Sequence, residues 1–280
     1  MLNGMAKLGA LHIGTCGWHY KHWIGPFYPA GTRPAAFLDH YAKRFSAVEV
    51  DNTFYRLPSP ETLSHWRAET PKDFAFTCKA SRYITHMKKL KEPEKTLPPF
   101  FDGMAHLGDK LKVVVFQLPP RWRCNPDRLE RFLAALPRGR RYAFEFRDES
   151  WFDPAVYGLL VDHGAAFCIY DLAGRQSPYE VTADFVYLRL HGPGAAYEGA
   201  YSTQRLARLA ERLQAWRREG RDCFVFFDND AEGQAPKDAL RPPTSRPAPV
   251  PGWPTMSPAS PSPRSRRWPC GRRTWRTSPP

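Results

Sequence analysis

The chain has 280 residues, 42% of them hydrophobic, and a formal net charge of +13. That length fits one barrel-sized domain with a sizeable core, and no run reaches the roughly 18 apolar residues of a membrane span. The charge points first to nucleic acid, but eight arginines and no acidic residue fall in residues 241–280, which leaves +5 for residues 1–240; that balance suits an anionic small molecule equally well.

The opening MLNGMAKLGALHIG has one Lys and lacks the apolar core and small-residue cleavage site of a signal peptide. HIGTCG, from His12, is the first strand-length run, and a helix is expected over Pro34–Phe45. AVEVDN, from Ala47, leads to a helix over Pro60–Glu69, and FAFTCKA, from Phe74, to one over Leu97–Leu107. VVVFQLP, from Val113, precedes a helix over Pro126–Leu136, and YAFEFR, from Tyr142, one over Asp153–His163. AAFCIY, from Ala165, is followed by DLAGRQSPYEVTAD, which reads as loop. FVYLRLH, from Phe185, leads to a helix over Thr203–Arg218, and CFVFFDN, from Cys223, to the short helical start APKDAL. Ser59-Pro60, Asn125-Pro126 and Asp153-Pro154 are good helix starts, a capping side chain followed by proline in the first turn. Eight strands alternating with helices predict an α/β fold, a TIM-type (β/α)₈ barrel in a single domain over residues 1–240. A doubly wound sheet would alternate similarly, but GTCGWHY carries no GxGxxG turn.

Residues 241–280 hold twelve of the 29 prolines and no Leu, Ile, Phe, Tyr or acidic residue. Such a stretch cannot build a core. Two readings fit: a basic disordered tail, or an out-of-frame product of GC-rich DNA that truncates the last helix after APKDAL. The second is the expectation. The six cysteines form no CxxC pair, and Cys78, Cys168 and Cys223 lie inside predicted strands. A free thiol there acts as a small apolar group, so the expectation is a reducing, cytoplasmic protein with no disulfides and no membrane partner.

Side chains alternate faces along a strand, so parity sorts the polar ones. Glu49 shares a face with Asp51, Thr77 with Lys79, Val115 with Gln117, Glu145 with Arg147, Arg189 with His191, and Phe226 with Asp228. One face of most strands thus turns charged only near its C-terminal end, and in a barrel that face lines the mouth. The leading expectation is an enzyme, a hydrolase or isomerase, doing acid–base chemistry on an anionic, ring-bearing ligand such as a sugar phosphate or nucleotide. Arg147 and Arg189 would fork the anion. Glu145, with Glu49 second, would be acid or base, and His191 the proton-transfer partner, in a catalytic set with Lys79 and Asp228. Asp51, Asn52, Gln117 and Asn229 would orient polar ligand groups, and Trp18, Tyr20, Tyr55 and Trp151 would stack on rings. The glycines of HGPGAAYEG, from His191, would offer backbone N–H groups to phosphate.

Other readings stay open. The charges could be a structural ion-pair net, or the barrel could bind single-stranded nucleic acid without catalysis, which steep salt dependence would reveal. Glu49 and Glu145, facing across the barrel, could act as a glycosidase pair. DNDAEG, from Asp228, begins like a calcium loop but has Ala239 where the twelfth-position Glu belongs. Glu145, His191 and Asp228 could hold a divalent metal, but the adjacent arginines argue against it, so no cofactor is expected. A Schiff base at Lys79 needs a desolvated amine, which neighbouring carboxylates oppose. No GxSxG nucleophile elbow exists.

IGTCGWHYKHW, GPFYPAG, FSAVEVDNTFYRLPSPETLSHW, FAFTCKASRYITH, FQLPPRW, YAFEFRDESW, YLRLHG and FFDNDAEGQAPKDAL occur in that order over residues 12–240. Together they resemble the YecE-like family, domain of unknown function 72. The resemblance implies a TIM-barrel-like bacterial or archaeal protein and brings no reaction, ligand or catalytic residue. Its marked blocks fall on the strand ends singled out by parity. Asp51 and Asp148 depart from it, standing where the family commonly shows Asn and His. Both changes add negative charge near the mouth. The resemblance stops near Leu240, where the family continues a helix.

Overall fold

The structure, a computed structural model, describes residues 7–241. From residue 242 onward, the stretch expected to be a tail lies outside the described residues. Eight parallel strands form the barrel: β1 (Leu11–Thr15), β2 (Ala47–Val50), β3 (Ala75–Lys79), β4 (Leu111–Gln117), β5 (Arg141–Glu145), β6 (Ala166–Leu172), β7 (Phe185–Leu190) and β8 (Asp222–Phe227). From β2 to β8 each strand pairs with the next in sequence, and β8 pairs with β1. The ring closes between β1 and β2 through a parallel bridge from Cys16 to Glu49 and a 2.7 Å hydrogen bond from the Gly17 amide to the Glu49 carbonyl. The (β/α)₈ expectation is therefore met.

That seam depends on two residues. A Cβ at Gly14 would lie 2.0 Å from the Ala47 carbonyl oxygen, so only glycine lets β1 approach β2 there. Tyr41 then staples the strands, its hydroxyl accepting from the Thr15 amide at 2.8 Å and donating to the Ala47 carbonyl at 3.0 Å.

The helices are α1 (Phe37–Ala42), α2 (Pro60–Glu69), α3 (Pro93–Met104), α4 (Pro126–Ala134), α5 (Pro154–Asp162), α6 (Thr203–Arg218) and α7 (Gln234–Leu240). Ser59, Asn125 and Asp153 cap α2, α4 and α5 by accepting from the Thr62, Arg128 and Ala155 amides, as their sequences imply. The helix expected over Pro34–Phe45 is split, its first turn being 3₁₀ over Pro34–Ala36. The helix α3 starts at Pro93 rather than Leu97 and runs through Pro98 and Pro99. Pro93 occupies the first-turn position that suits proline, whereas Pro98 and Pro99 each withhold an amide donor and crowd the carbonyl one turn back. No helix follows β6; Arg175–Gln176 fold back as a short antiparallel strand against Asp171 and Leu172. Among the described residues no helix is long and apolar enough to cross a membrane.

Side chains pointing outward from the strands, such as Val48, Phe76, Phe116, Phe144 and Ile169, pack beneath the helices in one continuous core. Inside the barrel a second cluster sets Ala47, Ala75, Ala143 and Ala166 opposite Phe185, Phe224 and Phe226. Large rings from β7 and β8 thus fill the space that alanines on the other strands leave, which plugs the barrel. Two residues further along, the same inward register turns polar: Glu49 after Ala47, Thr77 after Ala75, Glu145 after Ala143. The plug is the floor on which the mouth is built.

Candidate active site at the barrel mouth

Arg189, near the end of β7, is the centre of the mouth and is 0% exposed. Its Nη2 lies 2.6 Å from Glu49 and 3.2 Å from Asp51, and its Nη1 2.8 Å from Glu145. Asp228 is 3.7 Å from Nη2, and Gln117 accepts from Nη1 at 3.4 Å. Both Nη groups are therefore spent on the protein itself, and the remaining Nε is buried. The guanidinium cannot fork a ligand anion, which corrects the role expected for it.

Glu145 is equally buried and binds two guanidinium groups, Arg189 and the Nε of Arg147. Burial alone would raise its pKa, but Arg147, Arg189 and His191 hold it well below the usual carboxylate range. It stays ionised as a structural counter-charge and not as the principal acid or base. Glu49 and Glu145 grip the same guanidinium from within the barrel, so no sugar can lie between them, and the glycosidase arrangement is not formed.

Glu49 behaves oppositely. Its carboxylate accepts from the Tyr187 hydroxyl and, at 3.4 Å, from the Cys16 thiol. Burial pushes its pKa up to about 8, with the like charge of Asp51 adding to the rise and Arg189 opposing it. Asp51 is the more open of the two. Burial would raise its pKa as well, but Arg189 and Lys79 hold it below the ordinary value. The pair shares one proton, with Glu49 the holder and Asp51 the ionised, ligand-facing member.

A second proton carrier lies across Arg189. The Nδ1 of His191 is 2.8 Å from Asp228, and the Nη2 of Arg147 is 3.0 Å from its Nε2. A guanidinium only donates, so these partners set Nε2 as acceptor and Nδ1–H as donor to Asp228. Arg147 also stacks over the Tyr170 ring at 5.1 Å, and Tyr197 sets its ring edge-on to His191 at 5.6 Å. Tyr197 adopts a left-handed φ of 65°, which a bulky residue holds only when its surroundings impose it.

Lys79 ends β3 with its Nζ 4.6 Å from the centroid of Phe54. Among the described residues it has no carboxylate within ion-pair distance, unlike Arg147 and Arg189. Beyond it a π-turn over Tyr83–Met87 carries His86, whose ring meets Phe54 at 4.9 Å. The chain then passes through left-handed Lys89, Leu90 and Glu92, an accumulation of non-glycine strain.

The other expected residues separate into those that reach the mouth and those that do not. Tyr20 does, its hydroxyl donating to the Cys16 carbonyl at 2.8 Å. Trp18 is buried edge-on against Trp66, and Trp151 donates to the Trp122 carbonyl at 2.6 Å while stacking on Phe146. Both are outer-core residues, not ligand platforms. Tyr55 stands 73% exposed on the rim beside exposed Asn52. Asn229 is buried and donates to the Gly199 carbonyl at 2.8 Å and to Asp238 at 2.7 Å, so it ties loops together instead of orienting a ligand. In the loop after β7 the Gly192, Tyr197 and Glu198 amides donate to Tyr201, His191 and Ala195, so Gly192 does not offer its N–H to a phosphate as expected. Sequence reasoning passed over Cys16, Tyr170, Tyr187 and His86. Tyr187 shares Arg189's parity and was findable; His86 rides a π-turn that has no periodic signature.

The metal set Glu145, His191 and Asp228 is not assembled, because Asp228 meets Nδ1 of the ring while Glu145 lies 3.5 Å from Nε2. Among the described residues, Cys16, Asp51 and Asp228 bring ligand atoms within 4.8 Å of one another. Arg189 already supplies positive charge there, 3.7 Å from the Cys16 sulfur, so these residues fit a metal ion poorly.

Residues 12–244 match a family model described as protein of unknown function DUF72. UPF0759 protein YunF of Bacillus subtilis is 26% identical over 259 residues, covering 80% of this chain and 90% of that protein. UPF0759 protein YecE of Escherichia coli K12 is 29% identical over 145 residues, 51% of this chain and 50% of that one. The crystal structure of a DUF72 family protein from Thermotoga maritima superposes with a TM-score of 0.73 at 30% identity, covering 82% of this chain and 96% of that one. A DUF72 family protein from Enterococcus faecalis gives 0.70 at 21% identity, with 82% and 93% covered, and so shares the fold. The resemblance read from the dispersed sequence blocks is thereby borne out.

Proposed function

This chain belongs to the DUF72 family, whose description names no reaction, and we propose from its own residues that it is an enzyme moving protons on a small anionic ligand at the barrel mouth. One observation carries the reading: Glu49 and Asp51, neighbours on one face, have proton affinities pushed in opposite directions around a buried arginine. Separated affinities in adjacent carboxyls are how one site keeps an acid and a base together near neutral pH. Asp51 takes a proton from the ligand, Glu49 acts through it as the proton store, and His191 with Asp228 forms the second carrier. Two carriers on one floor suit removal of a proton from one atom and its return to a neighbouring one, the chemistry of an isomerase. Tyr20, Phe54 and Tyr197 around the opening favour a ring-bearing ligand, such as a sugar phosphate or nucleotide.

The test is solvent-deuterium incorporation, read by mass spectrometry, into a panel of sugar phosphates and nucleotides incubated with the full chain in heavy water. The wild type should label at least one compound, and Asp51→Asn should slow labelling by about 10²-fold or more, the usual scale of a general base. Panel members that bind without labelling would overturn the proposal. Tight single-strand binding that collapses with salt, again without labelling, would favour a nucleic-acid-binding barrel.

A further inference from the structure

We propose that Lys79, Arg82 and His86 form a phosphate subsite on the turn after β3, beside the proton-transfer floor. This rests on the reading of the mouth as an enzyme site and names the ligand's anion as a phosphate monoester.

The cations of the mouth are unequal. Arg189 and Arg147 are held by carboxylates, whereas the Lys79 ammonium lies against the Phe54 ring with no carboxylate within ion-pair distance among the described residues. Phe54 in turn meets His86, so one aromatic wall joins the end of β3 to the π-turn. The charged groups that act on His86 are Lys79 from β3, Arg82 from the turn and Arg147 from beyond β5, of which Arg147 is paired with Glu145. With burial, they lower its pKa. Lys79 and Arg82 remain as like charges beside the imidazole, unfavourable until an anion arrives.

The hydrogen bonds leave His86 ready for that anion. The Thr85 hydroxyl donates to the Ser81 carbonyl at 3.2 Å, so the His86 Nδ1–H donates to the Thr85 oxygen at 2.9 Å. Its Nε2 then carries the lone pair and has no partner among the described residues. A phosphate supplies what that corner lacks: up to two negative charges beside Lys79 and Arg82, which let Nε2 take up a proton and donate to a phosphate oxygen. A carboxylate supplies a single charge. The π-turn and the left-handed residues after it hold His86 at this position against backbone preference, as is common where a bulge serves a site.

The experiment titrates inorganic phosphate into the full chain labelled with ¹³C-histidine, with sodium acetate as the contrasting anion. Phosphate should saturate and raise the His86 pKa by roughly one unit or more, as an opposite charge in contact does; acetate should do neither. Lys79→Met and Arg82→Ala should each weaken phosphate binding at least tenfold, while Asp51→Asn, which removes a negative charge that acts on Lys79, should not weaken it. A His86 titration that phosphate does not move, or binding indifferent to Lys79→Met, would overturn the subsite. Because the wild-type titration needs no variant, misfolding cannot mask that result. Phosphate bound as described with no deuterium labelling in any compound would instead sink the proposed reaction and leave the subsite standing.

Discussion

Replacing Arg189 with Met should cost more stability than any other single change at the mouth. The guanidinium is fully buried and bonds Glu49 at 2.6 Å, Glu145 at 2.8 Å and Asp51 at 3.2 Å. Methionine fills much of the volume, so the loss is electrostatic and not a cavity. Breaking one buried ion pair from one side costs about 3–5 kcal/mol, because the remaining charge has no compensation. Here Arg147 still holds Glu145, and Glu49 is already inclined to keep its proton, so the damage falls mainly on Asp51 and on the shared field. The same range, about 3–5 kcal/mol, is therefore expected, or roughly 6–20 °C in Tm for a domain of this size. Arg189→Lys should fall between, since one ammonium cannot span carboxylates that the two Nη groups reach separately. Circular-dichroism melts at pH 7.5 read the loss. Repeated at pH 5.5, the deficit should shrink, because orphaned carboxylates can then take up protons. A Met variant melting within about 2 °C of wild type at pH 7.5, less than ~1 kcal/mol, would refute the claim that these charges compensate one another.

Two further changes probe the same frame. Glu49 has its pKa raised from 4.5 to about 8 in the folded protein, so the native state retains a proton that the unfolded chain has released between those values. Its contribution is full below pH 4.5 and is lost as pH rises toward 8; Glu49→Gln, always neutral, should flatten that slope in urea titrations from pH 5 to 8, and parallel slopes in variant and wild type would show that Glu49 is ionised in the folded state. Asp238 is buried on α7 and accepts from the Tyr201 amide at 3.0 Å, Asn229 at 2.7 Å, Gln234 at 3.0 Å and Arg241 at 2.7 Å. Asp238→Ala should lose about 2–4 kcal/mol by thermal melting and hasten proteolysis of the loop carrying Tyr197; a melt superimposable on wild type would show that this clamp does not hold the loop.

What the sequence revealed of the site follows from periodicity. Glu49, Lys79, Glu145, Arg147, Arg189, His191 and Asp228 lie on or next to strand ends, where a period of two decides which way a side chain points, and all seven belong to the mouth. Parity is silent on depth. It could not say that Arg189 and Glu145 are sealed from solvent while Lys79 has no carboxylate within ion-pair distance among the described residues, because that depends on how neighbouring strands stagger. Aromatic residues in loops have no period at all. Trp18 and Trp151 therefore looked like ligand platforms when they are core, and Asn229 looked like a ligand contact when it is a clamp. The missing helix after β6 was legible because Gly, Pro and Ser break up that stretch; the π-turn after β3 was not, because RYITHM reads as ordinary chain.

The opposite states of Glu49 and Glu145 come from one residue. Both are buried and both bind Arg189. Glu145 has a second guanidinium two residues on, Arg147, whereas two residues beyond Glu49 the chain carries another acid, Asp51. At that end Glu49 and Asp51 share the one guanidinium of Arg189, and a medium of low polarity disfavours ionising both carboxyls. A proton must stay, and it stays on Glu49. Lys79 is one of the charges that keep Asp51 ionised. On the proposed reading, a phosphate drawn to Lys79 takes away part of that compensation and raises the proton affinity of Asp51. The base then gains strength only once its ligand is in place, and anion binding and proton transfer become two consequences of one charge balance.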